Sequence, residues 1–340
     1  MRVYMVIPSY WSGPNGEWEE GDAVFDHPTP LKEEGTLRRT LDSIDILDDK
    51  NFTLIIIGVA TNPKYDEIMH EKLDKMIREA NVKVDTILFT YKNLYKLKEL
   101  IYKDVEMEDI LSLSNYSHIR NMCIFLPYVL DADVAVLIDD DEVFEDPYYM
   151  TKAKEFVGKR FYGNTVDGVA GYYLNEDNEY YDKVNIVPWM TYWDRFGGKR
   201  EAFDNIIGKG PRLKQTPFAF GGAMVIHRNL MRIVPFDPMV TRGEDTDYVV
   251  NAKMFGFNFY LDNTLAIKHL PPQKKHPIWK RFREDIYRFL YNKSKFESQV
   301  PMNNLRVISP DEFDPYPGQF MKPDLGDKIF KTNIILALDY

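Results

Sequence analysis

Three acids stand side by side at Asp139-Asp140-Asp141, and Glu142 follows them directly. They end the run DVAVLI (133–138), which is apolar enough to be a strand covered on both faces. Adjacent carboxylates repel one another, so such a cluster commonly holds a cation. Alternate residues of an extended chain face the same way, which lets Asp139 and Asp141 share a site. A solvated acidic turn is the competing reading, and the triplet alone does not choose between the two.

A second acidic group is Gly243-Glu244-Asp245-Thr246-Asp247, opening the segment RGEDTDYVVNAKMFG (242–256). Its acids and its closing Gly mark a helix, because carboxylates are favoured at the positive end of the helix dipole. The same dipole stabilises the charge of Asp245, which suits a general base. A third candidate is His269, after a predicted strand and before Pro271-Pro272. Imidazole is a common metal ligand, although a lone His is more often structural.

These residues need a scaffold that brings them together. RVYMVI (2–7), TLIIIGVA (53–60) and VKVDTILF (82–89) read as strands, with helices over 37–47, 64–80, 92–103 and 115–131. Strands alternating with helices imply a parallel sheet with right-handed crossovers. In such sheets ligands bind beyond the carboxyl ends of the strands, where the Asp triplet lies. The second half is less regular: strands are expected at 168–173, 219–226, 257–262 and 265–269, and an aromatic, basic helix from Trp279 to about Asn292. The segment 9–34 is too long to be a mere connector. The last 45 residues carry several Pro and read as an extension or an arm for homo-oligomer contacts.

The chain has 340 residues, enough for one large α/β domain with a small extension. Its net charge of −10 argues against nucleic-acid binding, which needs a basic footprint. One cysteine, Cys123, permits no internal disulfide and fits a reducing compartment. The opening MRVYMVIPSYW is too short an apolar run for a signal peptide, and no run of about 18 apolar residues predicts a spanning helix. A cytoplasmic location is therefore expected. The helix WKRFREDIYRFLYNKSK (279–295) mixes aromatics with bases. It suits either attachment to an anionic membrane surface or packing on the core with its basic face wet, and the second is the expectation.

The order of the motifs resembles the GT-A glycosyltransferases, especially family 2 and its relatives. IPSY (7–10) resembles the family's opening strand end, SHIRN (117–121) its RN helix, and VLIDDDEVFEDP (136–147) its DxD segment. FGGAMVIHRNL (220–230) and PFDPMVTRGEDTDYVVNAKMFGF (235–257) resemble its Gly-Gly and GED block. The resemblance spans roughly residues 1–272. It implies a Rossmann-like, mostly parallel nucleotide-binding sheet over 1–142, continuous with an acceptor half over 143–272, and an extension over 273–340. Where the family usually carries an acid at the end of its second strand, this chain has Ile57-Gly58-Val59.

By resemblance, Asp139 would contact ribose or metal, and Asp141 and His269 would bind the metal. Pro8, Ser9, Tyr10, Arg120 and Asp140 would lie near the nucleotide, and Lys274, with Lys275, over the diphosphate. Asp245 would be the base and Glu244 would orient the acceptor. The implied reaction moves a sugar, typically a hexose, from a nucleotide-diphosphate sugar to an acceptor hydroxyl. Its cofactor would be Mn²⁺ or Mg²⁺, with Mn²⁺ the more tolerant of nitrogen ligation. Trp11, Trp189, Tyr192 and Trp193 are candidates to stack on sugar faces. Lys209, Arg212 and Lys214 are candidates to receive a charged acceptor.

Other enzyme classes fit less well. The turn after the first strand is Pro8-Ser9-Tyr10, not a G-x-G-x-x-G, and there is no Walker loop and no G-x-S-x-G. A nucleotidyltransferase or two-metal phosphohydrolase also uses clustered acids, and a non-catalytic nucleotide-sugar-binding scaffold is the rival of a different kind.

Overall fold

The computed structural model describes residues 1–101, 111–181, 187–272 and 278–339. Eight strands form the path of the main sheet: β1 Val3–Ser12, β2 Thr53–Ala60, β3 Thr86–Phe89, β4 Val134–Leu137, β5 Gly168–Leu174, β6 Leu213–Gln215, β7 Met224–His227 and β8 Phe259–His269. Their spatial order is β6-β8-β5-β7-β4-β1-β2-β3. Strands β4, β1, β2 and β3 are mutually parallel. The sheet turns mixed at β7, which runs antiparallel to both β4 and β5.

The parallel half is read directly from its residues. Met5, Val6, Ile7, Leu54 to Ile57 and Val134 to Leu137 are all fully buried, as expected for strands covered on both faces by crossover helices. Those helices are α1 Leu37–Ser43, α2 Asp66–Ala80, α3 Tyr91–Ile101 and α4 Tyr116–Val129. Asn115 caps α4 by accepting the His118 N–H.

Several expectations shift. β1 continues through Pro8 to Ser12, so IPSY lies inside the strand and not in a turn. The two strands expected at 257–262 and 265–269 are one, β8, with an irregularity between Leu261 and Ala266. The strand expected from 219 starts only at Met224, because Gly221-Gly222 sits in a turn. The segment 9–34 is pinned rather than loose: Trp11 pairs with Thr29 and Ser12 with Pro30, parallel to the end of β1.

Helices α5 Tyr149–Phe156, α6 Arg195–Ile206, α7 Arg228–Ile233 and α8 Glu244–Met254 complete the second half. Beyond residue 272, α9 Ile278–Glu297 and α10 Leu325–Asp339 pack back on it. Trp189 and Trp193 meet Phe282 of α9 at ring centroid distances of 5.2 and 5.0 Å. Bases on α9 turn inward at Arg288 and Lys295, while Trp279, Arg283 and Tyr287 face outward. Among the described residues no helix is long and apolar enough to cross a membrane.

Lys295 ties α9 to α8. Its ammonium contacts Asp247 at 2.7 Å and Asp237 at 2.9 Å, and Asp247 is fully buried. Burial pushes the Asp247 carboxyl up and Lys295 opposes it. Removing one partner of a buried pair strands the other charge, at a cost of about 3–5 kcal/mol. Lys295→Met should therefore lower stability by that amount, read as a drop in the urea midpoint at unchanged slope. A shift below about 1 kcal/mol would place the pair among weak surface bridges.

Candidate active site

The register of the sheet assembles the acids. Val6 pairs with Leu137, and the Ile138 N–H donates to the Val6 carbonyl, so Asp139 and its neighbours emerge beside Pro8 and Ser9. Ser9 Oγ donates to Asp140 at 2.6 Å, and Trp11 Nε1 donates to Ser9 Oγ. On the other side Met224 pairs with Leu137 in antiparallel register, which sets Gly222 against Asp139. Glu142 pairs with His269 at the end of β8, and the Leu270 N–H donates to the Asp141 carbonyl. That pairing brings His269 onto Asp141, with Nε2 3.4 Å from Oδ2.

The triplet divides its duties. Asp139 accepts from Arg120 Nη2 at 2.7 Å and from Tyr173 Oη at 3.3 Å. Asp140 is held by Ser9. Its carboxyl rises to about 7 because it is buried and because Asp141 is charged beside it. Burial works against the charge on Asp141 too. Hydrogen bonds from His269 and His27 overcome that and hold its carboxyl well below the usual range. Glu142 is fully buried, accepts the Asp139 N–H through Oε2, and is pushed well up by burial and by Asp139.

Glycines make this density feasible. A Cβ on Gly222 would lie 2.7 Å from both Cγ and the amide nitrogen of Asp139, and closer still to Glu142 Oε1. We expect Gly222→Ala to displace Asp139 and to cost about 1–3 kcal/mol, as overpacking does. The measurement is the unfolding free energy of the variant against wild type, and an unchanged value would mean that the acid cluster yields freely.

Arg120 links the triplet to the second acidic group. It is buried on α4, and its Nε lies 3.5 Å from Glu244 Oε1. Burial, then the charge of Asp245, raise the Glu244 carboxyl to about 7. Gly243 precedes α8 with φ +72°, and the Arg288 guanidinium occupies the place a side chain would need, so only glycine suits this turn. Asp245 accepts the Gly221 N–H at 3.2 Å.

One open cleft of about 300 Å³ is lined by Tyr10, Arg120, Asp139 to Asp141, Glu244, Asp245 and His269. Pro8 and Ser9 lie behind it, buried in β1. Lys274 and Lys275 fall outside the described residues. The sugar-stacking candidates are elsewhere: Trp11, Trp189 and Trp193 are core residues, and Tyr192 is not among the lining side chains. Tyr173, Phe203, Phe218 and Phe220 line the cleft instead. The basic loop is also absent from it. Arg212 is spent on Asp262 at 2.7 Å and Glu155 at 2.8 Å. Gly58 is packed beneath Leu73, Met69 and Thr90 and is not among the residues that line the cleft.

Residues not anticipated complete the cleft. His27 Nε2 lies 3.3 Å from Asp141 Oδ2. Its neighbour Asp26 binds Arg242, which also binds Glu284 of α9 at 2.9 Å. Asp285, Arg288 and Tyr316 form a wall from the C-terminal segment. Only the length of the segment 9–34 hinted at any of this.

The donor set suits a divalent cation. It offers carboxylate and imidazole, and Asp141 Oδ1 is buried with no hydrogen-bond partner. Among the described residues no three His, Cys, Asp or Glu side chains are placed to hold a metal ion between them, and both imidazoles lie against Asp141 Oδ2.

No protein-family model and no curated protein matches the sequence. Solved structures do. The mannosyltransferase PcManGT from Pyrobaculum calidifontis, in complex with GDP-Man and Mn²⁺, superposes with a TM-score of 0.54 at 12% identity, over 99% of this chain and 74% of that one. The chain has the GT-A fold. GalNAc-T7 with UDP, GalNAc and Mn²⁺ aligns over 88% of this chain and 52% of its own, at 13% identity and a TM-score of 0.43. A mycobacterial protein aligns over 89% and 76%, at 14% identity and 0.48. The weight rests on the first. In this GT-A fold the acids, Arg120 and His269 gather where the parallel half of the sheet meets the mixed half.

Proposed function

We propose that the chain transfers a sugar, typically a hexose, from a nucleotide-diphosphate sugar to an acceptor hydroxyl, with inversion and with a divalent cation. The observation that carries this reading is a single cleft with Asp141 and His269 on one side and Asp245, at the start of α8, on another. Asp141 and His269 would hold the ion, with Asp139 next to them. A divalent cation there, Mn²⁺ or Mg²⁺, would neutralise charge on the departing diphosphate.

The remaining steps belong to this chain's own residues. Tyr10 and Arg120 border the nucleotide end of the cleft. Asp245 takes the proton of the acceptor hydroxyl as its oxygen bonds to the anomeric carbon. The bond from that carbon to the diphosphate oxygen breaks, and its electrons leave with the nucleotide diphosphate. Arg120 keeps Glu244 in place beside Asp245, and the Gly221 N–H orients the base through a hydrogen bond. Tyr173 and Phe220 supply apolar lining of the cleft in which the sugars would sit.

We further propose a cytoplasmic location, which the single cysteine, Cys123, favours, and no nucleic-acid partner, since the net charge of −10 disfavours one. The test is a thermal-shift screen of nucleotide diphosphates and nucleotide-sugars with Mn²⁺, followed by assay of free nucleotide diphosphate. Binding to the native state raises apparent stability by mass action. Stabilisation without turnover on any acceptor would favour a binding scaffold. Stabilisation by nucleoside triphosphates alone would favour a nucleotidyltransferase.

A further inference from the structure

We propose that Arg242 is a positioning residue: it fixes the start of α8, and Asp245 with it, against the segment that carries His27 and against α9. The inference rests on the reading of Asp245 as the base and adds the group that holds the base in place. Arg242 precedes Gly243, the residue before α8. Its Nη1 meets both carboxylate oxygens of Asp26, at 3.0 and 3.1 Å, and Glu284 Oε2 at 2.9 Å. One nitrogen therefore ties together three parts of the chain that are distant in sequence.

The first turn of α8 needs such a tie. Glu244, Asp245 and Asp247 crowd it with carboxylates, which repel one another. Gly243 gives it no side-chain cap, where a Ser, Asp or Asn would accept a backbone N–H. The residues before it, 234–243, form neither helix nor strand. That loop is strapped to α4. Phe236 exchanges two hydrogen bonds of 2.8 Å with the Asn121 side chain, and Ser117 Oγ donates to the Val240 carbonyl. Arg242 adds an anchor immediately before the helix.

Both partners of Arg242 are themselves held. The Asp26 N–H donates to Tyr116 Oη at 2.7 Å, and the ring of Phe25 packs on Tyr10 and Tyr116 at 4.7 and 5.3 Å. Glu284 stands on α9, whose Phe282 packs on Trp189 and Trp193. A cation between two fixed carboxylates fixes the chain that carries it. The side chains of Arg242, Asp26 and Glu284 are 27%, 32% and 31% exposed, so the bridge adds little to global stability. Its effect is local and sets where Asp245 stands. Since every one of these contacts passes through one nitrogen, a lysine ammonium, with three donors, can replace them in kind.

The experiment compares wild type, Arg242→Gln and Arg242→Lys as full chains. Hydrogen exchange in deuterated buffer is followed by NMR at two amides. These are Asp247, which donates to the Gly243 carbonyl at 3.1 Å, and Gly221, which donates to Asp245. Arg242→Gln should lose protection at both, while the amides of β1 and β2 keep theirs and the urea midpoint stays near wild type. With the nucleotide-sugar and acceptor that turn over in the screen above, kcat should fall by about 10²-fold, the cost of a misplacement of about 1 Å. The dissociation constant of the nucleotide diphosphate should hold. Arg242→Lys should recover most of the protection and of the rate. Where Arg242→Gln does not fold, Asp26→Asn combined with Glu284→Gln removes the same contacts from the other side and should give the same pattern. Unchanged exchange at both amides, or unchanged kcat in an enzyme that Asp245→Asn disables, would overturn the role of Arg242 and leave the base standing. A loss of nucleotide affinity with kcat kept would also overturn it, by marking Arg242 as a substrate contact. Near-normal kcat in Asp245→Asn would remove the base, and the positioning role with it.

Discussion

Asp245→Asn should lower kcat by about 10²–10⁴-fold, the usual cost of removing a general base, with little change in affinity for the nucleotide diphosphate. The substitution keeps the size of the side chain and its ability to accept the Gly221 N–H, which the carboxylate accepts at 3.2 Å. It cannot take a proton from the acceptor. Asp245 stands in the first turn of α8 and lines the cleft. The check is kcat under saturating donor, with the dissociation constant of the nucleotide diphosphate measured separately. Near-normal kcat would demote Asp245 to a helix-start acid and make Glu244 the next candidate, or point to a retaining mechanism without an enzymic base here.

Asp141→Ala should abolish transfer and, with it, stabilisation by Mn²⁺. A ligand at 100 times its dissociation constant adds about 2.7 kcal/mol to native stability, and the variant should gain close to none. The apo fold should survive. Asp141 raises the carboxyl of Asp140 by its charge, so its removal relieves repulsion inside a buried acidic cluster as well as deleting contacts to His27 and His269. Excess EDTA should reproduce the loss in wild type. Full activity in EDTA would defeat cation dependence altogether.

What the amino-acid sequence discloses follows from the range of the forces involved. Strands β1, β2 and β4 are legible because burial on both faces leaves uninterrupted apolar runs such as Leu54–Ile57. The acids of 139–141 and 244–245 and His269 are legible because polar groups at the ends of buried strands and the starts of helices need a reason. The apolar run 219–226 implies an earlier start for β7 than the structure has, because Gly221 and Gly222 answer to Arg120 and Asp139 packed across from them and not to a strand. Helix α10 is hidden in the sequence by the prolines that precede it. The place of His27 beside Asp141 is not legible locally, because the segment that carries it is held by contacts distant in sequence, such as Thr29 pairing back on Trp11. The apparent promise of Arg212 fails for a similar reason, since its partners Glu155 and Asp262 are distant in sequence.

The wall formed by Asp285, Arg288 and Tyr316 has a consequence for biosynthesis. A growing polypeptide folds from its N-terminal side as it leaves the ribosome. All eight strands are complete by His269, so the sheet, the Asp triplet and α8 can be in place while the residues that close the cleft are still being added. Until Tyr316 emerges, Arg288 lacks the hydroxyl that it meets at 3.0 Å. A nascent chain stalled between those points would hold its acids assembled in an unwalled groove, so the cleft gains its last wall only when Tyr316 has been added.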